Sequence, residues 1–159
     1  DDSVDVALCI AGAHHMEDKR CLFRELHRVV KPGGRFVLSD VPVDSAVAHF
    51  LDGYVGDNNS TGHTGFFLCA DTLNELRESG WQVASSEIIN FHWVFDDAES
   101  MGDFCNSLFD IVHASTTDTI KSIENSLGVD YMPGGKTGMR WSLMTIVATK
   151  APRDRHLGA

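Results

Sequence analysis

The strongest constraint lies in the first forty residues. Val4-Asp5-Val6-Ala7-Leu8-Cys9-Ile10 is short, β-rich and nearly continuously apolar, the pattern of a strand covered on both faces of a parallel sheet. After Ala11-Gly12-Ala13-His14-His15, the apolar residues Leu22, Phe23, Leu26, Val29 and Val30 recur at helical spacing between Glu17 and Val30, with charged residues on the other face. Lys31-Pro32-Gly33-Gly34 ends that helix, because proline disfavours helical geometry before it and glycine accepts a positive φ. Arg35 to Val41 reads as a second strand. Strand, helix and strand joined in this way form a right-handed βαβ unit with parallel pairing. The chain is therefore predicted to be an α/β protein.

The remainder extends this pattern. Residues 44–55 are expected to form a helix capped by Asp44, and 56–65 a polar, glycine-rich loop. Asp71 is expected to cap a helix running to Ser79, followed by a long strand over 82–95, helices over about 98–113 and 117–127, and a last strand over 140–150 after the Pro133-Gly134-Gly135 turn. The expected organisation is a single domain over 1–152, with a helical insertion at about 96–138 and a polar tail at 153–159.

Composition excludes several classes. Lys and Arg number 13 against 23 Asp and Glu, a net charge of −10, which repels a phosphate backbone. Nucleic acid is not an expected partner. No stretch approaches the roughly 18 apolar residues of a membrane span, and no secretory signal pattern opens the chain. Cys9, Cys21, Cys69 and Cys105 lie 12, 48 and 36 residues apart, with no C-x-x-C pair, so free thiols in a reducing cytoplasm are expected. His14-His15 lacks the i, i+4 spacing of a helical zinc pair, and no metal site is expected.

The ordered set Asp1-Asp2-Ser3-Val4-Asp5-Val6, Gly12-Ala13-His14-His15-Met16 and Leu26-His27-Arg28-Val29-Val30-Lys31-Pro32-Gly33-Gly34-Arg35-Phe36-Val37 resembles the second half of a class I S-adenosylmethionine-dependent methyltransferase. The resemblance covers residues 1 to about 41. It implies a partial Rossmann-like sheet of about four strands, mostly parallel with an antiparallel last strand. The later segments 71–79, 82–95 and 140–150 are compatible with that family's final helix and strands. The family's glycine-rich loop and the carboxylate that fixes ribose hydroxyls precede this region and are absent here. No G-x-G-x-x-G occurs in the 159 residues.

Ligands of open α/β sheets bind at the carboxyl ends of the strands, which directs attention to Ala11, Gly12, His14, His15, Asp40 and the segment from Val41 to Gly65. The resemblance places Ala11 and Gly12 beside the methionine end of the cofactor, with His14 or His15 facing cofactor or acceptor; a histidine capping the next helix is the competing reading. His63, between Gly62 and Thr64-Gly65, is either a base that orients the acceptor or a solvated loop residue. The expected assignments are His15 and His63 catalytic, Ala11, Gly12 and His14 cofactor-binding, and Asp40, Tyr54 and Asn59 acceptor-binding. The apolar stripe Met101, Phe104, Cys105, Leu108, Phe109 and Val112 is expected to pack on the sheet, the alternative being a roof over an acceptor pocket.

The resemblance thus implies methyl transfer to a small molecule, with this chain expected to be a fragment that lacks the glycine-rich cofactor loop, binds S-adenosylmethionine weakly or not at all, and is inactive on its own. The alternative is a non-catalytic module that self-associates. Either way, the first strand has no neighbour on one side and is expected to drive homo-oligomerisation through the sheet edge and face.

Overall fold

The computed structural model describes residues 1–153. It is an α/β structure with one mixed five-stranded sheet, ordered β1-β2-β5-β3, with β4 pairing β5. The elements run β1 (Val4–Ile10), α1 (Arg20–Val29), β2 (Val30–Asp40), α2 (Ala46–Phe50), α3 (Gly56–Asn58), α4 (Ala70–Glu78), β3 (Trp81–Phe95), α5 (Ala98–Leu108), α6 (Thr116–Ser126), β4 (Val129–Met132) and β5 (Lys136–Lys150). A π-helical turn, Leu51–Val55, continues α2 into α3. The chain divides into two compact units: Asp1–Asp40, Phe66–Ile88 and the residues from Met144 onward form the first, and Val41–Gly65 with Ile89–Leu143 the second.

The predicted βαβ unit is present in the first unit. β1 pairs parallel to β2, with Ala7 opposite Phe36 and Ile10 opposite Ser39. The last strand is antiparallel, as expected: Leu38 of β2 lies opposite Ile146 of β5. The sheet is mixed instead of mostly parallel, and it has five strands where about four were expected. The extra strand, β4, has only four residues and forms a hairpin with Lys136–Met139 of β5, so β5 starts at Lys136 and not at Arg140.

Strand β1 departs from the expectation of cover on both faces. Val4, Val6, Leu8 and Ile10, which share one face of the strand, are 38%, 51%, 65% and 63% exposed, and β1 is also the outermost strand of the sheet. The core of this unit lies around β2: Phe23, Phe36, Leu38, Leu76, Trp81 and Ile146 are buried together. The indole Nε1 of Trp81 donates to Phe23 O at 2.9 Å, so the large side chain enters the core without an orphaned donor.

Several boundaries moved for identifiable reasons. Helix α1 begins at Arg20 and not at Glu17: Lys19 is only 4% exposed, and its Nζ donates to Met16 O at 2.9 Å and Phe66 O at 2.6 Å, which holds residues 16–19 outside the helix. The predicted Lys31–Gly34 turn is a bulge inside β2, since Val4 pairs with Val30 but Val6 pairs with Arg35. Gly33 has a φ of +79°, and a Cβ on Gly34 would sit 2.7 Å from Asp5 O. Asp44 does not cap α2. It takes a φ of +59°, and Ser45 Oγ accepts from Ala48 N at 3.0 Å. Asp71 lies in the first turn of α4, whose N-cap is Cys69.

In the second unit α5 stops at Leu108, short of the predicted residue 113, where Asp110 adopts a φ of +50° and Ile111 bridges to Asn59. Aspartate tolerates that left-handed conformation better than most residues. Only part of the predicted stripe packs: Met101 and Cys105 are buried, whereas Phe104, Leu108 and Val112 are 45%, 51% and 55% exposed, with Phe104 5.7 Å from Trp93, Trp93 4.8 Å from Trp141 and Phe109 6.2 Å from Trp141. Beyond Arg153, the expected polar tail lies outside the described residues.

All four cysteines are free, and their surroundings differ. Cys105 is fully buried, and burial pushes its thiol up to about 12; Cys21 is exposed. Because alkylation requires the thiolate, iodoacetamide at pH 8 is expected to label Cys21 in the folded chain and to leave Cys105 unmodified until denaturant is added. Peptide mapping by mass spectrometry checks this, and early labelling of Cys105 would contradict the packing of α5.

Candidate functional site

The turn that leaves β1 is built around one carboxylate. Asp40, the last residue of β2, is completely buried, a position that an ionised group occupies only when its oxygens are well supplied with donors. Its Oδ2 accepts from the backbone N–H groups of Gly12, Ala13 and His14 at 3.0, 2.7 and 3.1 Å. Oδ1 lies 2.6 Å from His14 Nδ1. Ala11 enters the turn at a φ of +48°, its N–H donating to Ser39 O at 2.9 Å. A sharp turn with three converging N–H groups is a ready anion cradle, and here the protein fills it with its own side chain.

This arrangement sorts the predicted residues of the first unit. Ala11 and Gly12 are exposed at the carboxyl end of β1, and a Cβ on Gly12 would meet only Ile10 O, at 3.8 Å, so the backbone there is open to close approach. His14 is buried against Asp40, whereas His15 is exposed with its ring 4.1 Å from that of His14. His14 O accepts from Phe66 N at 2.7 Å, so the turn is also tied to the start of the next segment of this unit. Burial holds the Lys19 ammonium below the usual lysine range, and its two carbonyl partners fix the exit of the same turn.

Within the second unit, His63 and Asp52 form a pair. His63 Nδ1 lies 2.7 Å from Asp52 Oδ1, which also accepts from Gly65 N at 2.8 Å. The imidazole is 12% exposed and the carboxylate 37%. An aspartate on Nδ1 fixes the tautomer that leaves the lone pair on Nε2, the form required of a base. Asp52 was not foreseen. Tyr54 and Asn59 are both engaged internally: the Tyr54 hydroxyl lies 2.8 Å from Thr119 Oγ1 and its ring stacks on Phe50, and Asn59 Oδ1 accepts from Thr61 N at 2.8 Å.

The Ala11–Gly12 backbone is thus exposed at the carboxyl end of β1, beside the exposed apolar side chains of Leu8 and Ile10. No G-x-G-x-x-G motif occurs in residues 1–159. The weight carried by Asp40 is measurable: truncating one partner of a buried, hydrogen-bonded charge leaves the other groups unsatisfied, so Asp40→Ala is expected to lower unfolding free energy by about 3–5 kcal/mol. Urea denaturation followed by circular dichroism measures the loss, and a change below 1 kcal/mol (about the value of an exposed ion pair) would show that the turn does not rest on this carboxylate.

Comparison with known proteins bears on the same region. A family model described as a methyltransferase domain matches residues 1–38. The uncharacterized methyltransferase YcgJ of Bacillus subtilis (strain 168) is 43% identical over 54 residues, 33% of this chain and 21% of that protein. In fold, a candidate methyltransferase of Bacillus halodurans C-125 matches with a TM-score of 0.59 and 21% identity over 95% of this chain and 71% of its own. Phosphoethanolamine N-methyltransferase 2 of Haemonchus contortus, solved with S-adenosylhomocysteine, matches with a TM-score of 0.54 and 14% identity over 94% of this chain and 34% of its own. The chain thus aligns with about a fifth of its curated relative's sequence. The chain is thus similar in sequence to a methyltransferase domain over residues 1–38 and similar in fold to solved methyltransferases over nearly its whole length.

Proposed function

We propose that this chain takes part in S-adenosylmethionine-dependent methyl transfer to a small-molecule acceptor. The observation that carries the reading is the Asp40-held turn, which opens the Ala11–Gly12 backbone at the carboxyl end of β1 inside the segment matched to a methyltransferase domain. Ala11 and Gly12 hold the amino-acid end of the cofactor, and His14 acts on them through Asp40. When bound, the cofactor supplies a methyl group on a sulfonium, an already activated leaving group. The protein's task is then orientation, exclusion of water and, for acceptors that ionise weakly, removal of a proton.

His63, oriented by Asp52, takes that proton at Nε2, and His15 is the second imidazole assigned to the chemistry. Tyr54 and Asn59 shape the acceptor side of the second unit through the bonds that fix its helices and loop. With 23 acidic side chains against 13 basic ones, a small molecule is favoured over nucleic acid as acceptor. Free cysteines support a cytoplasmic location. Among the described residues, no helix is long and apolar enough to cross a membrane.

A second reading is favoured by a specific observation. Val4, Val6, Leu8 and Ile10 present an apolar row on the outermost strand, the surface a homodimer would bury. On that reading the chain is a self-associating module without cofactor affinity.

One experiment separates the two: calorimetric titration with S-adenosylhomocysteine at a protein concentration where mass is also measured by light scattering. Methyl transfer predicts saturable binding, weak because the glycine-rich loop is missing, and its loss in Gly12→Val, which closes the open backbone. The module reading predicts a stable dimer, thermal silence, and conversion to monomer by Leu8→Lys with Ile10→Lys. Silence from a monomer would defeat both.

A further inference from the structure

The second unit holds a cavity that the methyl-transfer reading does not use. It has a volume of about 340 Å³, within the range of small-molecule sites, roughly 300–1,000 Å³. Val47, Phe91, Leu127 and Trp141 supply apolar wall, and His92, Asp130 and Arg140 line it as well. Asn90 and Ser142 also line it, and the three ionisable residues form one connected group. Asp130 Oδ2 accepts from His92 Nε2 at 2.8 Å and from Arg140 Nε at 2.8 Å, and Oδ1 accepts from Arg140 Nη2 at 2.5 Å. Arg140 first, and His92 with it, hold the Asp130 carboxyl well below the usual carboxylate range, so it stays an anion.

These bonds decide the chemistry on offer. The Arg140 and Asp130 charges cancel, so a carboxylate guest would face Asp130 and an ammonium guest would face Arg140; a neutral guest meets neither penalty. Because Nε2 carries the proton donated to Asp130, neutral His92 keeps its lone pair on Nδ1. That nitrogen has no hydrogen-bond partner among the described residues. With an acceptor nitrogen on a residue that lines a cavity having a partly apolar wall, the guest best matched is a flat, largely apolar molecule with one hydroxyl donor.

We propose that this cavity binds a small neutral phenol, with its ring against the apolar wall and its hydroxyl donating to His92 Nδ1. The site is independent of methyl transfer, and no cofactor is needed to observe it. It is tested by titrating the full chain with p-cresol, 4-methylanisole and toluene, with binding read from two-dimensional NMR. These probes share a ring and differ in having a hydroxyl donor, only an ether acceptor, or neither. The expected result is saturable binding of p-cresol, with an about ten-fold preference over 4-methylanisole, the size of one neutral hydrogen bond. His92→Phe should erase that preference and leave toluene binding within about two-fold of its original value. Ala46→Trp, at an exposed residue on the rim, should block all three and keeps the test valid should His92→Phe fail to fold. Equal affinity for p-cresol and 4-methylanisole, absence of p-cresol binding, a preference that survives His92→Phe, or p-cresol binding unchanged in Ala46→Trp would each overturn the proposal.

Discussion

A buried carboxylate organises the first unit. Asp40 sits at zero exposure, where an unpaired charge would cost several kcal/mol, and its demand for donors dictates the path of the chain after β1. Gly12, Ala13 and His14 turn their N–H groups inward to meet it. Ala11 leaves the strand with a positive φ. The open face of Ala11 and Gly12 is the outer side of a turn whose inner side is saturated. The same carboxylate that appears in the sequence as a candidate ligand contact thus acts as internal scaffolding, setting the shape of the backbone that a ligand would meet.

The parts of this structure that are written locally were the parts readable from sequence. The βαβ unit follows from apolar periodicity and the Lys31-Pro32-Gly33-Gly34 break, and the antiparallel final strand follows from the resemblance carried by residues 1 to about 41. Strand β4 escaped because four residues in a segment marked as helical insertion hold too little pattern. Cap positions slipped by one residue at Asp44, where Ser45 competes for the same role, and by two at Asp71, because Cys69 is not among the residues that signal an N-cap in sequence.

The side-chain pairs were not readable, for a different reason. Asp52 and His63 are 11 residues apart, His92 and Asp130 are 38 apart, and Asp40 and His14 are 26 apart. None of these separations corresponds to a helical or strand period, so nothing in the linear pattern joins them. The His14-His15 pair and His63 stand out in the sequence as imidazoles without partners in the linear pattern, while the carboxylates beside His14 and His63 are supplied by the tertiary fold.

The bulge in β2 has a consequence for the outermost strand. Skipping from Val30 to Arg35 against Val4 and Val6, with no room for a side chain at Gly34, locks the two strands to one another like teeth on a ratchet. A strand free to slide by one residue would turn its apolar row over and hide it. This strand lacks that freedom, so Val6, Leu8 and Ile10 remain wetted however the chain breathes, and only a surface laid on them from outside can dry them.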